Sequence, residues 1–274
     1  MFHKLESINI ELTNKCNLTC KMCYRNCMKY PVGEMSRELF SEIVEKIKNS
    51  SYVIDTIYLH WRGEPCIVKY LPEAIKEIKM NLKARIILFT NGTLLNRQLC
   101  DEILDANIDV INFSLDANSK SLYEQIRGEN SFDIVRENIL YCIEKRNKCE
   151  YNTDIEIYSV LLEENMKELL SINNEWKEKV DKLNIKYDMR NSSETKGISK
   201  SKCFWPYSNI IIGWDGNVSA CCMDVNVQYS IGNIKTQTID EIFDSREMYK
   251  LRDSLEKNIS INNICANCSF FIDN

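Results

Sequence analysis

The chain has 274 residues, 44% of them hydrophobic, and a formal net charge of -5. That is enough apolar material for one large domain, or one with a small appendage, and the acidic balance leaves no electrostatic footprint for nucleic acid or an anionic membrane surface. Two histidines exclude most catalytic triads and His-based zinc hydrolysis, and apolar runs such as 86–89 are too short to span a bilayer. No apolar stretch near the N-terminus reads as a signal peptide, and thirteen cysteines in such a chain point to metal ligation in a reducing compartment, the cytoplasm, rather than to disulfides.

Residues 7–12, Ser-Ile-Asn-Ile-Glu-Leu, alternate as a strand does. Shortly after them come Cys16, Cys20 and Cys23, spaced C-x3-C-x2-C on one loop. Independent residues at this composition would give about 0.03 such matches per chain, so chance is a poor account of the spacing. Three thiolates can hold three irons of a cubane cluster and leave the fourth open to a small molecule, whereas a structural zinc ion wants four protein ligands. Residues 36–48 carry a helical stripe with Ser36 as N-cap, 53–60 read as a strand, and 71–80 as a helix with Pro72 in its first turn. Residues 85–89 form a strand ending at Thr90-Asn91-Gly92, 94–104 a helix, 110–115 a strand, 132–145 a helix, 153–161 a strand, 166–176 a helix and 182–187 a last strand.

Alternation of this kind over residues 5–190 implies an α/β fold with a parallel sheet of about six βα units, short of the eight of a closed TIM barrel. Active-site residues then belong at the C-terminal strand ends, where the cysteine loop lies. Residues 191–202 are polar and read as a linker. Beyond it, 208–214 and 217–222 flank Asp215-Gly216 as a β-hairpin, and 239–255 read as one helix. The expected organisation is a domain over 1–190, the linker over 191–202 and a second domain over 203–274, which holds Cys203, Cys221, Cys222, Cys265 and Cys268. A C-x2-C pair with two more thiols serves zinc as well as an iron–sulfur cluster.

At the cysteine loop the sequence resembles the radical S-adenosylmethionine (SAM) superfamily, whose cluster-binding loop has this spacing after the first barrel strand; Met22 stands where that family often has an aromatic residue. The resemblance implies a partial (β/α)6 TIM-like barrel and a [4Fe-4S] cluster that passes one electron to SAM. The resulting 5′-deoxyadenosyl radical takes a hydrogen atom from the substrate. Arg62-Gly63-Glu64-Pro65 matches the family's Gly-Gly-Glu-Pro motif with Arg62 in place of the first glycine, which implies that Glu64, with the Gly63 backbone, takes the SAM amino group. Asn91 at the same rim, Ser114 on the methionyl carboxylate or ribose, Asp116 in a nearby polar contact and Arg127 approaching the carboxylate are implied in the same way.

The C-terminal cysteines, the Ile231-Gly232-Asn233-Ile234 stretch and Arg252 resemble the SPASM/twitch extension of such enzymes, a small β-hairpin plus helix domain. That implies one auxiliary [4Fe-4S] cluster on Cys203, Cys221, Cys265 and Cys268. Cys222 is left over as a candidate hydrogen-atom donor, with Cys66 a lesser one. Two fates follow for the substrate radical. One is oxidation, with the second electron passing to the auxiliary cluster, as in the small dehydrogenases of aminocyclitol antibiotic biosynthesis. The other is epimerisation, with a thiol returning hydrogen to the opposite face. Peptide maturases, the alternative within the family, commonly carry an N-terminal leader-binding domain. A first strand starting near residue 5 favours a small polar substrate of the sugar or aminocyclitol type. Glu156, Tyr158, Asp188 and Arg190 fall near the later strand ends as pocket candidates. An electron donor such as flavodoxin or ferredoxin is implied as partner, with a small-molecule or peptide substrate. The reading of another class, a non-enzymatic zinc-binding module, predicts colourless protein; the enzyme predicts brown protein with about eight irons.

Overall fold

The computed structural model describes residues 4–187, 203–257 and 263–266. The first part alternates strand and helix: β1 (Lys4–Ile10), α1 (Arg37–Lys48), β2 (Val53–Tyr58), α2 (Leu71–Asn81), β3 (Arg85–Thr90), α3 (Arg97–Asp105), β4 (Val110–Ser114), α4 (Lys120–Arg127), α5 (Phe132–Lys148), β5 (Asp154–Leu161), α6 (Met166–Trp176) and β6 (Lys182–Tyr187). Local chemistry explains the boundaries. The Ser36 side chain accepts from Leu39 N–H and starts α1, and Pro72 sits in the first turn of α2, where its missing N–H costs nothing. The helix expected at 94–104 starts later, at Arg97, because Asn96 supplies the N-cap, accepting from Leu99 N–H.

The strands β1 to β6 pair in parallel, each beside the next. Alternation along them divides the sheet into two faces. Ile57, Leu59, Ile86, Leu88, Ile111 and Phe113 are fully buried on one face. The other face is polar and aromatic, with Asn9, His60, Phe89, Asn112, Glu156 and Tyr158.

The C-terminal part contains α7 (Trp205–Ser208), β7 (Asn209–Ile212), β8 (Asn217–Ser219), β9 (Ser230–Asn233), α8 (Ile239–Phe243), α9 (Arg246–Glu256) and α10 (Asn263–Ala266). The hairpin around Asp215-Gly216 is present, with strands shorter than expected and β9 added to it. It is no separate sheet. β7 lies parallel to β1, with Ile8 opposite Ile210, so one nine-stranded sheet runs β6-β5-β4-β3-β2-β1-β7-β8-β9. The helix expected over 239–255 is two, because the Ser245 side chain caps a new start by accepting from Met248 N–H. The segment 191–202, expected as a linker, lies outside the described residues.

Candidate active site

The cysteine loop leaves β1 at its C-terminal end and folds back over the strand ends. Asn14 pins its base: its Nδ2 donates to the Pro31 carbonyl at 2.8 Å, and its Oδ1 accepts from Gly33 N–H at 2.8 Å. Burial pushes the Cys16 thiol up; a hydrogen bond from Leu18 N–H opposes this, and Glu64, Cys20 and Cys23 add to it. Burial raises Cys20 as well, against the nearby Arg127 cation. The three thiols thus feel one another's charge. Three cysteine sulfurs on one short loop are a donor set that fits an iron–sulfur cluster.

Gly63 packs against the base of that loop. A Cβ there would fall 2.3 Å from the Thr13 carbonyl oxygen and 2.5 Å from that of Lys15. The next residue donates its N–H to Lys15 O at 2.8 Å. Gly63→Ala is therefore expected to cost about 1–3 kcal/mol, the usual range for overpacking, read as a lower denaturation midpoint of the anaerobic protein.

Glu64 is 2% exposed and bridges two strand ends. Its Oε1 accepts from Thr90 Oγ1 at 2.7 Å and from Cys66 N–H at 3.1 Å, and its Oε2 accepts from Asn91 N–H at 2.7 Å. Burial raises its pKa while these donors hold it down. Asn91 reaches back to the cysteine loop, its Nδ2 donating to Asn17 Oδ1 at 2.9 Å. Ser114 stands half-buried at the end of β4. Asp116, fully buried, accepts from Val160 N–H at 2.7 Å and pairs with Arg127. Arg127 ends α4, and instead of lying on the surface it turns inward, 7% exposed, toward Cys20.

On the other side of β1, Cys221 and Cys265 line one cavity together with Asp224 and Tyr229. Cys203 precedes α7, which α9 holds: Arg252 Nε donates to the Pro206 carbonyl at 2.8 Å. The Cys222 carbonyl accepts from Trp61 Nε1 at 2.9 Å, and its thiol is hydrogen-bonded to that of Cys221. Burial first, then Asp116 and Cys222, push the Tyr158 phenol up to about 12. Cys268, Asp188 and Arg190 lie outside the described residues.

Sequence reasoning passed over one feature here. Arg62 is no substitute glycine: its guanidinium forms a buried pair with Glu11, with Nε 2.7 Å from Oε1. It stacks 3.9 Å from the Trp61 ring and 4.6 Å from that of Tyr30, and its Nη1 donates to the Val225 carbonyl at 2.8 Å. The available signal was Glu11 itself, a lone carboxylate between Ile10 and Leu12 that needed a cation.

Thiols on a loop at the C-terminal edge of a parallel sheet, with a buried carboxylate at the next strand end, define a cluster-dependent enzyme of the half-barrel kind. Residues 10–174 match the Radical SAM superfamily model, and the chain belongs to that superfamily. Residues 203–269 match the SPASM model, an iron-sulfur cluster-binding domain, so the enzyme's cofactors are 4Fe–4S clusters and SAM. Among curated relatives, a probable GTP 3′,8-cyclase of Methanococcus aeolicus is 34% identical over 52% of this chain and 47% of its own length. A tungsten-containing aldehyde ferredoxin oxidoreductase cofactor-modifying protein of Pyrococcus furiosus is 25% identical over 60% of this chain and 46% of its own. The chain thus spans less than half the length of these relatives. Among solved structures, BtrN in complex with AdoMet and 2-DOIA superposes with a TM-score of 0.63 at 20% identity, covering 99% of this chain and 93% of that one. AnSMEcpe with bound AdoMet gives 0.72 at 17%, covering 97% and 86%. Streptococcus suis SuiB bound to the precursor peptide SuiA gives 0.67 at 15%, covering 99% and 71%. At such identities these likenesses speak for the fold. No helix among the described residues is long and apolar enough to cross a membrane.

Proposed function

We propose that this radical SAM enzyme oxidises an alcohol carbon of a small polar substrate, of the sugar or aminocyclitol type, bound on the polar face of the parallel sheet. The observation that carries this reading is an excess of acceptors on that face. Asn112 and Asn184 both donate through Nδ2 to Glu156 Oε2, at 2.9 and 2.8 Å, and Asn9 Nδ2 donates to the His60 carbonyl at 3.1 Å. Those bonds fix the amide orientations. They leave Asn9 Oδ1, Asn112 Oδ1 and His60 Nδ1 buried without a partner among the described residues. Burial holds the His60 ring neutral, its pKa lowered to about 4. The two unpaired amide oxygens call for a ligand rich in hydroxyl or ammonium donors, and the neutral His60 ring adds an acceptor or a donor according to its tautomer. The resemblance in overall fold to BtrN, with its bound 2-DOIA, is consistent with this class.

When bound, the clusters and SAM supply a low-potential electron and the 5′-deoxyadenosyl radical that abstracts hydrogen from carbon. The chain supplies binding and orientation. Cys16, Cys20 and Cys23 would hold the SAM-binding cluster, and Cys203, Cys221, Cys265 and Cys268 the auxiliary one. Glu64, with the Gly63 backbone, takes the SAM amino group, and its three protein donors fix where the carboxylate points. Asn91, Ser114 and Arg127 hold the polar groups of methionine and ribose, while Asp116 holds Arg127. A flavodoxin or ferredoxin in the cytoplasm delivers the electron.

A second reading, epimerisation, rests on Cys222, a thiol beyond the four assigned to the auxiliary cluster, whose carbonyl is tied to Trp61 just after β2. One experiment separates the two. Anaerobically reconstituted enzyme is given SAM, reductant and a panel of aminocyclitols and sugars, and 5′-deoxyadenosine release and product mass are followed. Oxidation is expected to yield a product two hydrogens lighter, and Cys222→Ala to keep most of that activity. An epimer of unchanged mass, lost in Cys222→Ala, would favour the second reading. Substrate-dependent release with peptides alone would overturn both.

A further inference from the structure

The end of α4 is built onto the cysteine loop. Lys21 N–H donates to the Ile126 carbonyl at 2.8 Å. Gly128, at φ +81°, lies so near that a Cβ would fall 2.7 Å from Thr19 Oγ1. Between these contacts Arg127 Nη1 stands 3.7 Å from Cys20 Sγ, within hydrogen-bonding range of a sulfur acceptor. Its Nη2 pairs with fully buried Asp116, and its Nε is buried without a partner among the described residues. Leu18 N–H also donates to Cys16 Sγ, at 3.5 Å, but that donor carries no net charge. Lys21, though next to Cys20, sends its ammonium outward to Glu164.

We propose that Arg127 sets the reduction potential of the SAM-binding cluster by donating a hydrogen bond to the Cys20 sulfur. The inference rests on Cys20 being a ligand of that cluster. Reduction adds one negative charge to the cluster. A cationic donor on a ligating sulfur stabilises the more negative state and raises the potential, and burial keeps solvent from screening it. Asp116 offsets part of that charge and holds the guanidinium in place. A guanidinium has five donors, so serving the sulfur leaves others for a carboxylate of SAM. Arg127 is thus a positioning and tuning residue as well as a binding one.

The test is a redox titration followed by electron paramagnetic resonance on the whole reconstituted enzyme. In the wild type the signal to follow is the one that changes shape when SAM is added; in the variants, because Arg127 also holds SAM, it is followed in a Cys265→Ala background that lacks the auxiliary cluster. Arg127→Gln removes the cation. Because it strands a buried carboxylate, the double variant Asp116→Asn/Arg127→Gln is measured beside it. Arg127→Lys keeps the charge without the planar fork. At the wild-type midpoint, the ratio of reduced to oxidised cluster is expected to fall about tenfold in the neutral variants, which is 59 mV for one electron. Arg127→Lys is expected to fall less. An unchanged midpoint in whichever neutral variant retains its iron overturns the proposal, and failure of both to retain the N-terminal cluster's iron while Arg127→Lys keeps its wild-type midpoint overturns it too, since Arg127 would then be structural. Wild-type protein with no SAM-responsive signal overturns the cluster reading itself, a separate outcome.

Discussion

Alanine in place of Cys20 is expected to bring 5′-deoxyadenosine formation to background and to remove about four irons, one cubane's complement, from the reconstituted protein. The same is expected of Cys16→Ala and Cys23→Ala, because in the proposed reading three thiolates are the whole protein share of a cluster whose fourth iron stays open. The informative comparison is Cys265→Ala. Cys265 shares its cavity with Cys221, on the far side of β1 from the N-terminal loop. That variant should also lose about four irons yet still cleave SAM in the absence of substrate turnover. Iron analysis, visible absorbance and chromatographic assay of 5′-deoxyadenosine read both. SAM cleavage surviving in Cys20→Ala would remove the loop from the chemistry.

Arg62→Ala is expected to cost about 3–5 kcal/mol, because it strands a buried carboxylate. The Glu11 and Arg62 side chains are 0% and 1% exposed. Without the guanidinium, Glu11 keeps two neutral donors, the backbone N–H of residue 62 at 3.1 Å and that of Trp214 at 3.3 Å, and neither balances its charge. A domain of ordinary stability has only about 5–15 kcal/mol to lose. The doubly neutral Glu11→Gln/Arg62→Met should recover most of the loss, since it leaves no unpaired charge. Denaturant midpoints under anaerobic conditions measure this. The damage should also be uneven. Arg62 holds the Val225 carbonyl and neighbouring Trp61 the Cys222 carbonyl, so the single variant is expected to release iron from the auxiliary site before the N-terminal one.

How much of this was open to a reader of the sequence depends on range. The Cys16, Cys20 and Cys23 loop is legible because its meaning lies in a spacing of a few residues. The same holds for Ser36 at the start of α1 and the Asp215-Gly216 turn. The break in the last long helix was legible in principle, since Ser245 followed by Arg246-Glu247 has the look of an N-cap, but apolar periodicity continues through it and conceals the stop. Pairings across the chain leave no local trace. Nothing near Arg62 names Glu11, and nothing near Ile210 names Ile8. Arg127 shows the limit most clearly. Its place at a helix end is local, whereas its burial between Asp116 and a cysteine sulfur depends on three separate strand ends and loops coming together.

The placement of β1 between β2 and β7 governs how this chain must be made. One side of β1 can close as soon as β2 exists, but the other waits for residues 209–212. At ordinary translation rates that interval is roughly 10–30 s, during which the newborn polypeptide carries a bare strand edge. Ser7, Asn9 and Glu11, polar residues inside an otherwise apolar run, make that edge a poor template for stray partners during the wait.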